Sequence, residues 1–143
     1  MNRILIDTNA FVAAAYNPES ASRKIVRAVE RGELKLIVSP EIVREYKAIL
    51  PKAVRSGEAR DWLWQVIEMA ERVTLAENPP VTEDRADDKF LAAAVAGVAD
   101  AIVSSDQHLL DVHPYAGIDI LRPTEFWDRF STDSDESGPS GPV

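Results

Sequence analysis

The chain contains no cysteine, so disulfide bridges, thiolate nucleophiles and thiolate-bound zinc are excluded. Its histidines number two, His108 and His113, too few for a histidine-based metal centre, and both fall in loop-like or capping contexts. No apolar run reaches the length needed to cross a bilayer, and no basic leader precedes an apolar stretch. These absences point to a soluble, cytoplasmic protein. Several enzyme signatures are missing as well. No GxxxxGK[ST] loop, no GxGxxG turn and no GxSxG elbow occurs, which argues against a phosphate-loop ATPase, a dinucleotide enzyme and a serine hydrolase.

What the chain has in excess is negative charge, unevenly placed. Its 143 residues carry a formal net charge of −8, unsuited to coating nucleic acid by bulk electrostatics. Between Arg23 and Arg60, however, ten basic residues face five acidic ones, whereas from Asp61 onward five basic residues face seventeen acidic ones. One part of the molecule is therefore expected to present a basic surface beside an acidic pocket.

Apolar runs alternate with helical periodicity along the chain, the pattern of a mostly parallel sheet covered by helices. Strands are expected at Arg3–Ile6, Leu34–Val38, Ala101–Ser104 and Ile118–Leu121. Asp7, Thr8 and Asn9 supply capping side chains for a short helix through Phe11 and Ala14. Ser20 or Ser22 caps a second helix with the stripe Ile25, Val26 and Val29, and Gly32 stops it. Ser39 and Pro40 start a third helix, expected to end at Pro51. Gly57 to Val73 reads as one amphipathic helix, with Trp62, Leu63, Val66, Ile67, Ala70 and Val73 on its apolar face and Trp64 projecting away from it. Pro79-Pro80 marks a loop, a helix follows over about Arg85 to Ala96, a short one after Asp106, and another from Pro123. One domain over residues 1–130 is expected, with 131–143 a disordered acidic tail rich in Ser, Gly and Pro.

Four carboxylates fall where a strand ends or on a helix that follows one: Asp7, Glu45, Asp88 and Asp106. In an open α/β sheet such positions gather at the carboxyl edge of the strands, where sites in these folds lie. No basic residue adjoins Asp7 or Asp106, so the gathered acids repel one another and call for a cation. Oxygen-only ligands select a hard divalent ion, Mg2+ or Mn2+. Such an ion acidifies bound water and stabilises a leaving oxygen, so phosphodiester hydrolysis is the natural reaction class. Each acid taken alone has a plain structural role: Asp88 as a first-turn charge, Glu45 as a partner of Arg44 or Lys47, Asp106 as an N-cap. All four having only such roles is a poorer account.

The blocks ILIDTNAFVAA, the helix carrying Glu45, DDKFLAAAVAGVADAIVSSDQHLL and ILRPTEFW stand in an order and spacing that resembles PIN-domain proteins, close to the VapC-like toxin ribonucleases of type II toxin–antitoxin systems. The resemblance covers about residues 1–130. It implies a three-layer α/β/α sandwich and a metal-dependent endoribonuclease that leaves a 5′-phosphate and a 3′-hydroxyl. It makes Asp7, Glu45 and Asp88 the core acids and Asp106 the fourth, with Asn9 and Ser104 as supporting polar residues. Asp84 and Asp87 are left as loop acids. A homodimer and a small antitoxin partner are also implied. Arg23, Lys24, Arg27 and Arg31 on one helix, and Arg44, Lys47, Lys52 and Arg55 on or after the next, are candidate phosphate contacts, Arg44, Lys47, Arg23 and Arg27 foremost. Trp64 is a candidate subunit or antitoxin contact. Two other classes compete. A catalytically silent module would keep the fold and bind RNA or protein. A receiver-like phosphoacceptor would need an acidic pair after the first strand and a late lysine, and this chain has a single Asp7 and Asp106 in those places.

Overall fold

The computed structural model describes residues 2–75 and 85–136; of 85–88 and 133–136 only the backbone is described. Its elements are β1 (Arg3–Ile6), α1 (Thr8–Tyr16), α2 (Ala21–Glu30), β2 (Lys35–Val38), α3 (Pro40–Ala53), α4 (Gly57–Glu68), β3 (Glu71–Arg72), α5 (Arg85–Ala96), β4 (Ala101–Val103), α6 (Gln107–Leu110), β5 (Asp119–Leu121) and α7 (Pro123–Glu136). Among the described residues the strands form one five-stranded sheet in the order β3-β2-β1-β4-β5. Every pairing is parallel.

That order follows from the sequence. The runs at β1, β2 and β4 are apolar on both faces, and Ile4, Leu5, Ile6, Leu36, Ile37, Val38, Ala101, Ile102 and Val103 are all buried. A strand buried on both sides belongs in the middle of a covered parallel sheet. Parallel neighbours need crossovers, and right-handed crossovers fix which face each helix covers. From β1 through β2 to β3 the chain steps one way, so α1 to α4 share a face. The return to β4 and β5 puts α5 and α6 on the other, with α5 against β1, β2 and β4, while α7 comes back to pack on α2. The result is the expected three-layer α/β/α sandwich, its sheet wholly rather than mostly parallel.

Helix boundaries are set by recognisable caps. Asp7, Ser20, Ser39 and Ser56 each accept a backbone N–H three residues on, and Pro40 opens α3. Gly32, at φ +83°, closes α2: its N–H bonds Val29 while that of Glu33 reaches back to Ala28, a Schellman pair.

Five local expectations are corrected. Pro51 lies inside α3, which continues to Ala53. The carbonyl it leaves without an N–H belongs to Lys47, an exposed residue, and the Val54 N–H still bonds Leu50. The amphipathic segment from Gly57 is helical only to Glu68; Glu71–Arg72 pairs as an edge strand beside β2, held by the two Glu71 oxygens on the Arg3 guanidinium at 2.6 and 3.1 Å. Trp64 does not project from a polar face but sits half-buried against the core. Helix α7 runs on to Glu136, into the segment expected to be a tail, while 137–143 lie outside the described residues. Pro79-Pro80 and Asp84 lie outside them too, and Asp87 falls within α5 rather than in a loop.

Candidate active site

Register brings the acids together. Ile6 pairs with Val103, so the residues that follow, Asp7 and Ser104, leave the sheet side by side at the carboxyl edge. Asp7 is 4% exposed. Its Oδ1 accepts the Ala10 N–H at 2.8 Å as the N-cap of α1. Its Oδ2 accepts the Ser104 hydroxyl and, at 3.3 Å, the Ser105 N–H. Burial pushes the Asp7 carboxyl above its ordinary value against these hydrogen bonds, and the negative charge of Asp106 pushes it further the same way.

Asp106 is half-buried and caps α6, accepting the His108 N–H at 2.9 Å. Its own N–H donates to Ser104 Oγ at 2.9 Å. One fully buried hydroxyl therefore ties Asp7 to the loop that carries Asp106. The capping role foreseen for Asp106 and its proximity to Asp7 hold together, because the cap uses Oδ1.

Glu45 comes near Asp7 from α3. Its Oε2 accepts the Thr8 hydroxyl, and Thr8 adjoins Asp7. Beside it Tyr46 is fully buried, stacked obliquely on Phe11 with ring centroids 5.1 Å apart, and its hydroxyl donates to the Ile6 carbonyl at 2.5 Å. Burial, and then the negative charges of Asp7 and Glu45, hold the Tyr46 phenol well above its ordinary value, so it stays a donor. Glu45 Oε1 meets Lys89 Nζ at 2.7 Å. The expected local partners, Arg44 and Lys47, do not take that place. They stand exposed on α3, and the cation comes from α5 instead.

Asp88 occupies the first turns of α5, one residue before Lys89; its side chain is outside the described residues. Asn9 is exposed in the first turn of α1 beside Asp7. Among the described residues no three acidic or histidine side chains converge as a metal cluster. The donor set nevertheless fits a hard divalent ion at Asp7 and Asp106. It is oxygen only, and the Asp7 carboxyl is disfavoured as an anion by burial and by its neighbour, the strain that a cation relieves.

The basic candidates divide. Arg44 lines an open cleft with Glu41, Glu45, Ala48 and Lys89. Arg23 and Arg27 line a different groove, with Ser56, Ala59 and Trp62. There they lie 5.0 and 4.5 Å from the Trp62 ring centroid, with Arg23 also donating to the Ala14 and Ala15 carbonyls and Arg27 to Glu30. Thr8 was named only as a capping side chain, and Tyr46 and Lys89 were not singled out by sequence. Lys89 alone had a signal, its place directly after Asp88, but nothing local showed that it would meet an acid from another helix.

A model of the PIN domain matches residues 3–108. The chain belongs to the PIN-domain family. Solved structures share its fold. A crystal structure of PAE2754 from Pyrobaculum aerophilum superposes with a TM-score of 0.59 at 18% identity, over 92% of this chain and 90% of that one. VapBC2 from Rickettsia felis, bound to a DNA fragment from its promoter, gives 0.56 at 10% identity, over 82% and 96%. In sequence, the uncharacterized protein MJ1680 of Methanocaldococcus jannaschii is 26% identical, with 90% of this PIN-domain chain and 91% of that protein covered. No helix among the described residues is long and apolar enough to cross a membrane.

Proposed function

We propose that this PIN-domain protein is a Mg2+- or Mn2+-dependent endoribonuclease that hydrolyses RNA phosphodiester bonds, the toxin of a type II toxin–antitoxin pair acting in the cytoplasm. The observation that carries the reading is the buried Asp7 carboxylate, pushed up by burial and by Asp106, with no cation in ion-pair contact among the described residues. Asp7, Asp106 and Asp88 hold the ion, with Glu45 at the margin of the site. When bound, the ion acidifies a water and stabilises charge on the leaving oxygen. The chain does the rest. Ser104 and the Ser105 N–H fix the Asp7 carboxylate, Thr8 fixes Glu45, and Arg44 presents a charge to the incoming backbone at the rim of the cleft. A homodimer and a small antitoxin that covers this cleft complete the reading.

A catalytically silent module that binds RNA or protein is the second reading, favoured by the fact that both Glu45 oxygens already have partners, Thr8 and Lys89. One experiment separates them. Purified protein is incubated with single-stranded and hairpin RNA in Mg2+ or Mn2+, with and without EDTA, beside Asp7→Asn and Asp88→Asn. Cleavage that EDTA abolishes, and that both folded variants lose, supports the nuclease. Wild-type rates in either variant overturn the site, and binding without cleavage supports the silent module.

A further inference from the structure

Charge is distributed unequally around these acids. On one side Asp7 is tied through Ser104 to the loop of Asp106, and among the described residues neither acid forms an ion pair. On the other, Glu45 Oε1 lies 2.7 Å from the Lys89 ammonium, and both side chains are largely shielded, 22% and 17% exposed. Salt screens a shielded pair of this kind weakly. Lys89 also lines an open cleft with Arg44 and Glu45, so two positive charges border Glu45. A divalent ion approaching Glu45 must displace an ammonium already in ion-pair contact and approach against like charge. An ion approaching Asp7 meets no such ion pair among the described residues.

We infer that Lys89 is a positioning residue that fixes Glu45 and keeps a second divalent ion off its side of the cleft, so that the site takes one metal ion, at Asp7 and Asp106. The inference rests on the proposed metal-dependent reading and sets its stoichiometry. In nucleases that use two ions, the second shares the stabilisation of the reacting oxygens; here a fixed ammonium occupies that side. Lys89 acts through Glu45, and its effect on the metal has a sign that structural damage does not share. Removing a merely structural lysine weakens metal binding, whereas removing a competing charge strengthens it.

The test is a Mn2+ titration of the full-length chain, read as free Mn2+ by electron paramagnetic resonance and as heat by calorimetry, with folding followed by circular dichroism. Wild type is expected to bind one Mn2+ per chain. Lys89→Met is expected to add a second site or to bind about tenfold more tightly, the order of effect of removing one nearby charge, and Lys89→Arg to match wild type. Should Lys89→Met fail to fold, the double variant Glu45→Gln with Lys89→Met removes the pair as a neutral unit and is expected to keep one ion. Two ions in wild type, unchanged binding in Lys89→Met, or loss of the ion in the folded double variant overturns the inference while leaving a metal site standing. Absence of Mn2+ binding in both wild type and Lys89→Met removes the metal-dependent reading itself, and the inference with it.

Discussion

The Ser104 hydroxyl donates to Asp7 Oδ2 and accepts the Asp106 N–H, so the carboxylate at the end of β1 and the loop after β4 are joined through one buried atom. Serine is the smallest side chain that performs both roles at once. Ser104→Ala leaves the Asp7 oxygen with only the Ser105 N–H and frees the Asp106 backbone. The Asp7 carboxyl should then rise further, since the hydrogen bond that favours its anion is gone. We expect Mn2+ affinity to fall about tenfold and metal-dependent RNA cleavage at neutral pH to fall with it, with Ser104→Thr restoring both. The readouts are a Mn2+ titration and initial cleavage rates; wild-type values for the alanine variant would remove Ser104 from the site.

A second expectation concerns pH. The Asp7 carboxyl is raised in the folded chain, chiefly by burial, so the native state holds its proton to higher pH than the unfolded state does. Between the ordinary carboxylate value and the raised one, the native state binds more protons, and stability falls as pH rises through that window. The metal-free protein should therefore melt at a lower temperature at pH 7 than the ionisation of its other acids alone would give. Asp7→Asn, which keeps an N-cap oxygen for Ala10, should remove that loss and melt several degrees higher at pH 7, but not at pH 4. Saturating Mn2+ should raise the wild-type melting temperature and leave that of the variant in place. Thermal melts at the two pH values check both; a lower melting temperature for the folded variant at pH 7 would contradict the sign.

The limits of sequence reading show in the same residues. The placement of Asp7 and Asp106 was legible because strand ends in a parallel sheet share an edge, and the period of the apolar runs locates those ends; Ser104 was named as a supporting residue only through the PIN resemblance. The central strands were legible for the same reason. The partner of Glu45 was not. Sequence proximity suggested Arg44 or Lys47, but residues adjacent or two apart on a helix do not face one another, and the ion pair forms across to α5. Trp64 misled similarly: a helical wheel assigns a face, whereas packing against neighbouring helices decides burial, and both Trp62 and Trp64 ended half-buried. The end of α4 was missed because the apolar residues Ala70 and Val73 continue the helical spacing while the backbone turns to place Glu71 on Arg3.

The basic residues separate into two classes with different expected phenotypes. Arg44 is exposed at the cleft that holds Glu45, while Arg27 lies on Trp62 and bonds Glu30. Arg44→Glu is expected to weaken RNA binding and to reduce its dependence on salt by about one counterion. Arg27→Glu removes a cation–π contact and sets two acids together, so it should lower the melting temperature, by an amount corresponding to about 1 kcal/mol, with a smaller effect on RNA. Binding isotherms across salt concentrations, beside melts of each variant, distinguish them; equal salt slopes for wild type and Arg44→Glu would take Arg44 out of the RNA path.

The turn after α5 carries the last expectation. Gly97 and Val98 divide two tasks that glycine often performs alone. A Cβ on Gly97 would lie 2.8 Å from Cγ2 and 3.1 Å from Cδ1 of Ile37, a fully buried β-branched side chain of β2 with no room to withdraw. The left-handed position falls instead on Val98, at φ 50°, where its N–H bonds Val95 and that of Ala99 reaches Ala94 in the same Schellman pattern that Gly32 makes at the end of α2. A β-branched residue in this conformation is strained by about 1–2 kcal/mol, and its side chain is 77% exposed and recovers little by packing. Val98→Gly should therefore stabilise the chain by about 1 kcal/mol. Gly97→Ala should destabilise it by about 1–3 kcal/mol through overpacking against β2. Denaturant unfolding of the two variants is expected to shift the midpoint in opposite directions, and a shift in the same direction would contradict this division of roles at the end of α5.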